Sequence, residues 1–197
     1  MATCPVISAA VEGIVDEAVV RKLIVVAGAS PGPVYGRQGK PFLRQRIRGY
    51  NAAAQYQPWF VLVDLDSDYD CAPPLRASWL PEVAPHLCFR VAVREVEAWL
   101  LADAERLADF LSARKRPPAN PEALGDPKSE MIALARSSRR RDIREDMVPR
   151  QESGRLVGPA YTSRLIEFAS SVWRPNVAAQ RAASLRRAID CLKRLVT

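Results

Sequence analysis

The residues best suited to chemistry lie in "VDLDSDYD", residues 63–70, where four aspartates occupy alternate positions after an apolar run. Carboxylates this close together repel one another, and each raises the pKa of its neighbours. A hard cation such as Mg²⁺ relieves that repulsion because it prefers oxygen ligands. Aspartate is also common in solvated turns, so this segment alone leaves both a turn and a metal site open.

Acidic residues also come after two other apolar runs. Glu12 and Asp16 come after "PVISAAV", and Glu95 and Glu97 come after "HLCFRVAV". If these runs are parallel strands, their carboxyl ends meet at the edge of a sheet where ligands bind. The acids are then expected to converge with the aspartates on one Mg²⁺ or Mn²⁺ site. Residues two apart on a helix face different directions, so we expect Glu97 to be the ligand and Glu95 to contact a basic residue.

Two other interpretations of the aspartates fit less well. An EF-hand loop starting at Asp64 needs glycine at position six and glutamate at position twelve, but Tyr69 and Leu75 stand there. A phosphatase of the haloacid dehalogenase type uses the first aspartate of a DxD motif as its nucleophile. In those enzymes the motif comes after the first strand, which is not the case here, so a phosphatase acting through Asp64 is the weaker alternative.

The acids are expected to be positioned by strands and helices that alternate along the chain. Strand and helix patterns succeed one another through residues 1–103, which predicts an α/β fold with a mainly parallel sheet flanked by helices. The segment "GASPGPVYGRQGKP" is rich in glycine and proline and predicts a loop. From residue 104 onward the patterns are helical. We therefore expect an α/β catalytic core in residues 1–103 and a basic helical extension in 104–197, packed together as one compact unit.

The net charge is +7, and the basic excess lies in residues 104–197, whereas residues 1–103 are close to neutral. This asymmetry favours a nucleic-acid partner, although a basic surface also keeps a protein soluble. Within "SSRRRDIRED", Arg139, Arg140 and Arg141 could bind a nucleic-acid backbone or lie on an exposed helix. Both interpretations remain open.

No stretch approaches the roughly 20 apolar residues of a membrane span, and the first residues lack the pattern of a signal peptide. The sequence therefore predicts no membrane association. The four cysteines have no CxxC spacing, which predicts reduced thiols and a cytoplasmic location. They are Cys4, Cys71, Cys88 and Cys191.

The order "VEGIVDEAVVRKL" and then "VLVDLDSD" resembles the TOPRIM arrangement, a Glu-Gly after the first strand and a DxD after a later one. The block "VAVREVEAWLLAD", with "DPK" and "GPAYTSRLIEF" further on, resembles an uncharacterised TOPRIM-like bacterial family. The AriB effectors of the PARIS anti-phage system are related to that family, and nucleases of the overcoming-lysogenization-defect class are more distant. The resemblance covers essentially the whole chain and implies a TOPRIM-like fold.

The resemblance implies Mg²⁺-dependent hydrolysis of phosphodiester bonds in DNA or RNA. By position, Glu12, Asp64 and Asp66 match the catalytic acids, while Asp16 and Glu97 match the further metal ligands. Lys128 is a candidate for stabilising charge at the phosphate. Such an effector is expected to be held inactive by an ATPase partner and could form a homodimer. The alternative is a non-catalytic binding or regulatory subunit that keeps the TOPRIM-like scaffold.

Overall fold

A computed structural model describes residues 4–196 and contains one parallel β-sheet with helices on both faces. The described strands form a four-stranded sheet in the order β2-β1-β3-β4, and every neighbouring pair is parallel. The predicted α/β class with a parallel sheet flanked by helices is therefore confirmed. The strands are β1 (Val6–Val11), β2 (Ser30–Gly36), β3 (Trp59–Asp64) and β4 (Leu87–Ala92).

The helices connect the strands and continue alone after β4. A 3₁₀ turn at Pro121–Ala123 and a π-helical turn at Phe168–Val172 interrupt the later ones. The helices are α1 (Ile14–Val26), α2 (Lys40–Ala53), α3 (Ala72–Trp79), α4 (Val96–Leu101), α5 (Ala104–Leu111), α6 (Pro127–Arg136), α7 (Arg141–Met147), α8 (Tyr161–Glu167), α9 (Pro175–Ala178) and α10 (Ala183–Val196).

The sheet separates two hydrophobic cores, because successive side chains of a strand point to opposite faces. On one face, residues such as Ile7 and Phe60 pack with α1, α4 and the later helices. On the other face, Val61 and Phe89 pack with α2 and α3. Burial on both faces explains why the central strands are continuous apolar runs in the sequence.

The predicted loop at "GASPGPVYGRQGKP" is wrong for residues 30–36, which form β2 and pair with β1. Pro31 and Pro33 cannot donate ladder hydrogen bonds, and an edge strand tolerates this because one side has no partner. Gly36 ends the strand with φ of 89°, and a Cβ at this position would overlap the carbonyl oxygen of Val11. The glycine and proline content therefore marks an edge strand here.

Residues on both sides of position 103 share the larger core. α10 packs against β4, and α8 packs against α1. A buried hydrogen bond joins the two parts, because the indole Nε1–H of Trp99 donates to Ser184 Oγ at 2.7 Å. The hydroxyl of Ser184 in turn donates to Glu122. The division at residue 103 stays a prediction.

Cys88 of β4 and Cys191 of α10 form a disulfide with a Cα–Cα distance of 5.9 Å. The expectation of four reduced thiols is therefore wrong for this pair, and Cys4 and Cys71 are free. The two cysteines lie about a hundred residues apart with no motif between them, so the sequence could not indicate the pairing. Within residues 4–196, no helix is both long enough and apolar enough to cross a membrane.

Candidate functional site

Five predicted acids lie at the carboxyl edge of the sheet, and we call them the acidic rim. Each ends or succeeds a strand of the neighbouring trio β1, β3 and β4, which is why the chain brings them to one edge. Asp64 is the last residue of β3, and Asp16 and Glu97 lie in the first turns of α1 and α4. The members of the acidic rim are Glu12, Asp16, Asp64, Asp66 and Glu97.

Backbone amides of neighbouring elements fix the rim carboxylates of Glu12 and Asp64. The N–H of Asp64 donates to Glu12 Oε1 at 2.8 Å, which links the end of β3 to the residue after β1. The N–H of Val96 donates to Asp64 Oδ1 at 3.1 Å, which links β3 to the start of α4. The positions of Glu12 and Asp64 therefore depend on main-chain geometry.

Asp16 has a structural contact as well as a place in the rim. Its Oδ2 accepts a hydrogen bond of 2.7 Å from the backbone N–H of Gly13, just before α1 begins. An acid in the third helical position that bonds the capping residue stabilises a helix start. The side chain is 7% exposed, and burial raises its pKa.

The electrostatics place Asp64 at the centre of the rim. Burial raises the pKa of Asp64 well above its usual range, and the charges of all four other rim acids raise it further. Burial also raises the pKa of Glu12 to about 7, against the opposing effects of the Asp64 amide and Lys40. The pKa of Glu97 rises to about 7 for the same reason, although Lys128 opposes the shift. A cluster of this kind holds protons or a cation at neutral pH.

Lys128, the second residue of α6, reaches the rim. Its Nζ lies 3.2 Å from Glu95 Oε1 and 3.9 Å from Glu97 Oε1. Burial opposes the charge of Lys128, but Glu97 and Glu95 more than compensate and raise its pKa. Lys128 is therefore cationic beside the rim.

The expected contact of Glu95 with a basic residue is confirmed by its hydrogen bond with Lys128. The expectation that Glu95 and Glu97 point in different directions is wrong. Glu95 precedes α4 and has extended backbone, so helical spacing does not apply to it. Both carboxylates consequently approach Lys128.

Lys40 is a site residue that the sequence did not single out. Its Nζ contacts Asp66 Oδ2 and Asp68 Oδ2, each at 2.8 Å, and donates to the carbonyl oxygen of Asp64 at 2.6 Å. Asp68, outside the rim, thus binds the same ammonium as Asp66. The sequence shows a lysine at the start of a basic helix. Its contact with the aspartates after β3 depends on how α2 packs beside β3, which the sequence does not show.

Hydrogen bonds to the end of β4 and the residues after it fix the turn that follows β3. The N–H groups of Leu65 and Asp66 donate to the carbonyls of Ala92 and Arg94, both at 2.9 Å, so pairing continues beyond the strands. Asp66 has φ of 53°, a left-handed conformation that aspartate tolerates better than most residues. This bend directs Asp66 toward Lys40.

Tyr161 is a second residue that the sequence did not single out. Its hydroxyl lies in the core and donates to Glu97 Oε1 at 3.3 Å. Burial and the charge of Glu97 raise the pKa of Tyr161 well above its usual range, so it remains a hydrogen-bond donor. A tyrosine 64 residues away in a helical segment carried no signal for this contact.

Arg139, Arg140 and Arg141 lie away from the rim, beyond the carboxyl end of α6. Lys128 and Arg136, near the two ends of α6, lie about 12 Å apart along the helix axis. Arg140 pairs with Asp142, and Arg141 pairs with Glu145 at 2.7 Å. The structure therefore does not bring these arginines to the rim, and their binding to nucleic acid stays a prediction.

The acidic rim is a candidate cation site by its donor chemistry. Within the described residues, no group of three or more His, Cys, Asp or Glu side chains has metal-binding geometry as it stands. The donors nevertheless fit Mg²⁺ or Mn²⁺, since every one of them is a carboxylate oxygen. Glu12 and Asp64 each use one oxygen for a backbone amide. Glu95 Oε2 is buried without a hydrogen-bond partner among residues 4–196.

The chain is similar in structure to the C-terminal region of the Burkholderia pseudomallei OLD protein, with a TM-score of 0.45 and 15% sequence identity. The alignment covers 99% of this chain and 100% of that chain. Neither the protein-family models nor the curated proteins give a match. This similarity is too low to indicate an activity, so function has to be inferred from the acidic rim.

Proposed function

We propose that the protein is a metal-dependent nuclease that hydrolyses phosphodiester bonds of DNA or RNA with Mg²⁺ or Mn²⁺. The observation that carries the proposal is the position of Asp64. Its carboxylate is half-buried at the sheet edge, and four other carboxylates raise its pKa. Such a concentration of negative charge destabilises the empty site and favours a divalent cation.

In this proposal the acids of the rim are the ligands of the cation. Glu12, Asp64 and Asp66 hold the cation, with Asp16 and Glu97 as further ligands. A bound divalent ion supplies an activated water and neutralises charge on the phosphate. The chain itself orients the carboxylates through the amides of Asp64 and Val96.

Cationic and hydroxyl groups complete the proposed site. Lys128 is cationic beside Glu95 and Glu97, so it can stabilise negative charge on a phosphate at the rim. Tyr161 orients Glu97 through its hydroxyl. Lys40, at the start of α2, binds the carboxylates of Asp66 and Asp68 and fixes their positions.

The resemblance noted in the sequence supports a finer proposal. We infer that the protein is an effector of an anti-phage defence system, restrained by an ATPase partner, and that it acts in the cytoplasm as a monomer or homodimer. Coexpression with an ATPase encoded by a neighbouring gene, followed by copurification, tests the partner.

The second candidate is a non-catalytic binding or regulatory subunit. It is favoured by the absence, within residues 4–196, of three potential ligands already in metal-binding geometry. Calorimetric titration with Mg²⁺ and Mn²⁺ separates the two candidates. A folded protein that binds neither ion at low-millimolar concentration supports the subunit.

The nuclease itself is tested with Asp64→Asn and Glu12→Gln. Cleavage of labelled single- and double-stranded DNA and RNA is measured with Mg²⁺ and Mn²⁺, with and without the ATPase partner. Both variants should lose cleavage while keeping the wild-type circular dichroism spectrum. Asp70→Asn is the matched control, because Asp70 is exposed and lies outside the rim. Full activity in both rim variants would refute the proposal.

A further inference from the structure

The exposed face of α2 carries a row of cations that starts at the acidic rim. Lys40, Arg44 and Arg48 succeed one another at intervals of four residues, so they lie on one side of the helix. Each step is about 6 Å along the axis, which is close to the distance between successive phosphates of an extended strand. Lys40 is the end that touches Asp66.

The two arginines of this row are available for an anionic partner. Arg44 and Arg48 are exposed, and no carboxylate of residues 4–196 lies within salt-bridge distance of either. Arg44 instead lies over the ring of Trp79, with its guanidinium carbon 5.9 Å from the ring centre. In contrast, Arg140 and Arg141 already have carboxylate partners.

A cleft with an aromatic wall runs beside this row, between α2 and α3. It has a volume of about 790 Å³, and its lining includes Lys40, Arg44 and Gln45 on one side and Tyr69 and Trp79 on the other. Asp68 also lines the cleft, where Lys40 neutralises it. The cleft thus presents cations and apolar rings together, at the side of the rim.

We propose that this α2–α3 cleft binds one strand of single-stranded nucleic acid. Phosphates lie along Arg44 and Arg48, while Lys40 stays paired with Asp66 and Asp68 at the rim end of the row. An unpaired base contacts the ring of Tyr69. Grooves that bind single strands combine a cationic track for the backbone with aromatic side chains for the bases. Stacking of a base on an aromatic ring requires an unpaired base, which favours a single strand over a duplex. The strand leaves the cleft at Lys40, next to Asp64 and Asp66.

This inference deepens the proposed nuclease function and rests on it, but binding can be measured without any cleavage. The probe is a fluorescein-labelled oligothymidylate of about 12 nucleotides, within the range of sites on single-strand-binding proteins. Fluorescence anisotropy is recorded with the full chain in EDTA, at several salt concentrations. The matched duplex is the comparison ligand.

The informative variants share one helix. Arg44→Ala with Arg48→Ala should weaken single-strand binding by about tenfold or more and reduce the slope of log K against log salt by about 1.4. Arg46→Ala removes the same kind of charge from α2, but Arg46 lies over Phe42, outside the row. It should change the affinity by less than about twofold, because the row and the cleft are intact.

Tyr69 tests the aromatic wall separately from the charges. Tyr69→Ala should weaken binding of the single strand severalfold or more, whereas Tyr69→Phe keeps the ring and should bind like wild type. Unfolding midpoints of both variants are measured in parallel, because Tyr69 also packs against the core beneath α3.

Three results overturn the inference. They are wild-type binding by the double arginine variant, an equal loss in Arg46→Ala, and preferential binding of the duplex. These outcomes are distinct from failure of the nuclease. If Arg44 and Arg48 are needed for binding but no substrate is cleaved, the proposed binding cleft is supported and the proposed nuclease function is refuted. If the double variant cleaves with wild-type KM, only the proposed binding cleft is refuted.

Discussion

Glu12 joins three elements of the site through its side chain and backbone. Its Oε1 accepts the N–H of Asp64 at 2.8 Å, and its carbonyl accepts the N–H of Gly39, just before α2, at 3.0 Å. The residue after β1 therefore fixes both the end of β3 and the start of the helix that carries Lys40. Its substitution has separable effects on stability and on chemistry.

Glu12→Gln and Glu12→Ala should differ in stability but not in activity. Glutamine can still accept the Asp64 amide and carries no buried charge, so it should be at least as stable as wild type near pH 8. Alanine leaves that amide unpaired and should be less stable than glutamine by about 1–3 kcal/mol. Urea unfolding measures the difference, and cleavage assays should find both variants inactive. Equal stability of the two would show that the hydrogen bond contributes nothing.

The metal-free protein should become less stable as the pH rises from about 4.5 to about 7. Glu12 and Glu97 have folded pKa values of about 7 against an ordinary 4.5, so the folded state binds their protons more tightly. Their contribution is complete below the unfolded pKa and is lost as the pH rises through the folded pKa. Unfolding in urea with EDTA should show a loss on the order of a few kcal/mol.

The double variant Glu12→Gln, Glu97→Gln isolates that contribution, because both titrating groups are gone. Its stability should change less than that of wild type between about pH 5 and pH 8. Parallel profiles for the two proteins would contradict the assignment of the pH dependence to these carboxyls.

Divalent cations should reverse this trend. At about pH 8, millimolar Mg²⁺ or Mn²⁺ should raise the unfolding midpoint by several degrees, because an ion bound at the rim as proposed stabilises only the folded state. At about pH 5.5 the shift should be much smaller, since protons compete for the same carboxylates. Differential scanning fluorimetry checks both conditions. Asp64→Asn should remove the shift and Asp70→Asn should keep it, so the same shift in both variants would place the ion elsewhere.

Lys128→Met should lower kcat by about a hundredfold or more, with a smaller change in KM. The ammonium lies beside Glu95 and Glu97 and is expected to stabilise charge on the phosphate during the reaction. Lys128→Arg keeps the charge and should retain part of the activity. Lys115→Met is the control, because Lys115 is exposed and outside the rim. Steady-state cleavage kinetics measure kcat and KM for the three variants. An unchanged kcat for Lys128→Met would show that Lys128 has no catalytic role.

Ser184→Ala should destabilise the fold by about 1–3 kcal/mol. The substitution leaves the buried indole N–H of Trp99 and the backbone N–H of Val93 without the hydroxyl oxygen that accepts both. Ser171→Ala, at an exposed position, should stay within about 0.5 kcal/mol of wild type. Chemical denaturation measures both, and equal effects would mean that the Trp99 contact carries no stability.

Strands and their terminal acids were predictable because both depend on local pattern. β1 and β3 are apolar runs long enough for a strand, and parallel strands place the residues after their carboxyl ends at one edge of the sheet. That reasoning located Glu12, Asp64 and Asp66 without any tertiary information. Lys128 was predicted as a candidate for stabilising charge at the phosphate, but its approach to Glu95 and Glu97 depends on how α6 packs.

The features that could not be predicted depend on packing between distant segments. β2 was missed because its glycines and prolines are typical of loops, and only pairing with β1 makes it a strand. Lys40, Tyr161 and the Cys88–Cys191 pair reach their partners across 24 to 103 residues. The helix-spacing argument for Glu95 failed because α4 begins one residue later, and helix boundaries are the least certain part of a pattern.

The contact between Trp99 and Ser184 has a consequence for the order in which the parts of the site are completed. Trp99 lies in α4, the same helix that supplies Glu97 and the amide that binds Asp64. Until α10 has been synthesised, the indole has no partner and β4 lacks the helix that covers it. The packing of α4, which carries Glu97 and the amide that binds Asp64, is therefore complete only once α10 has folded onto β4.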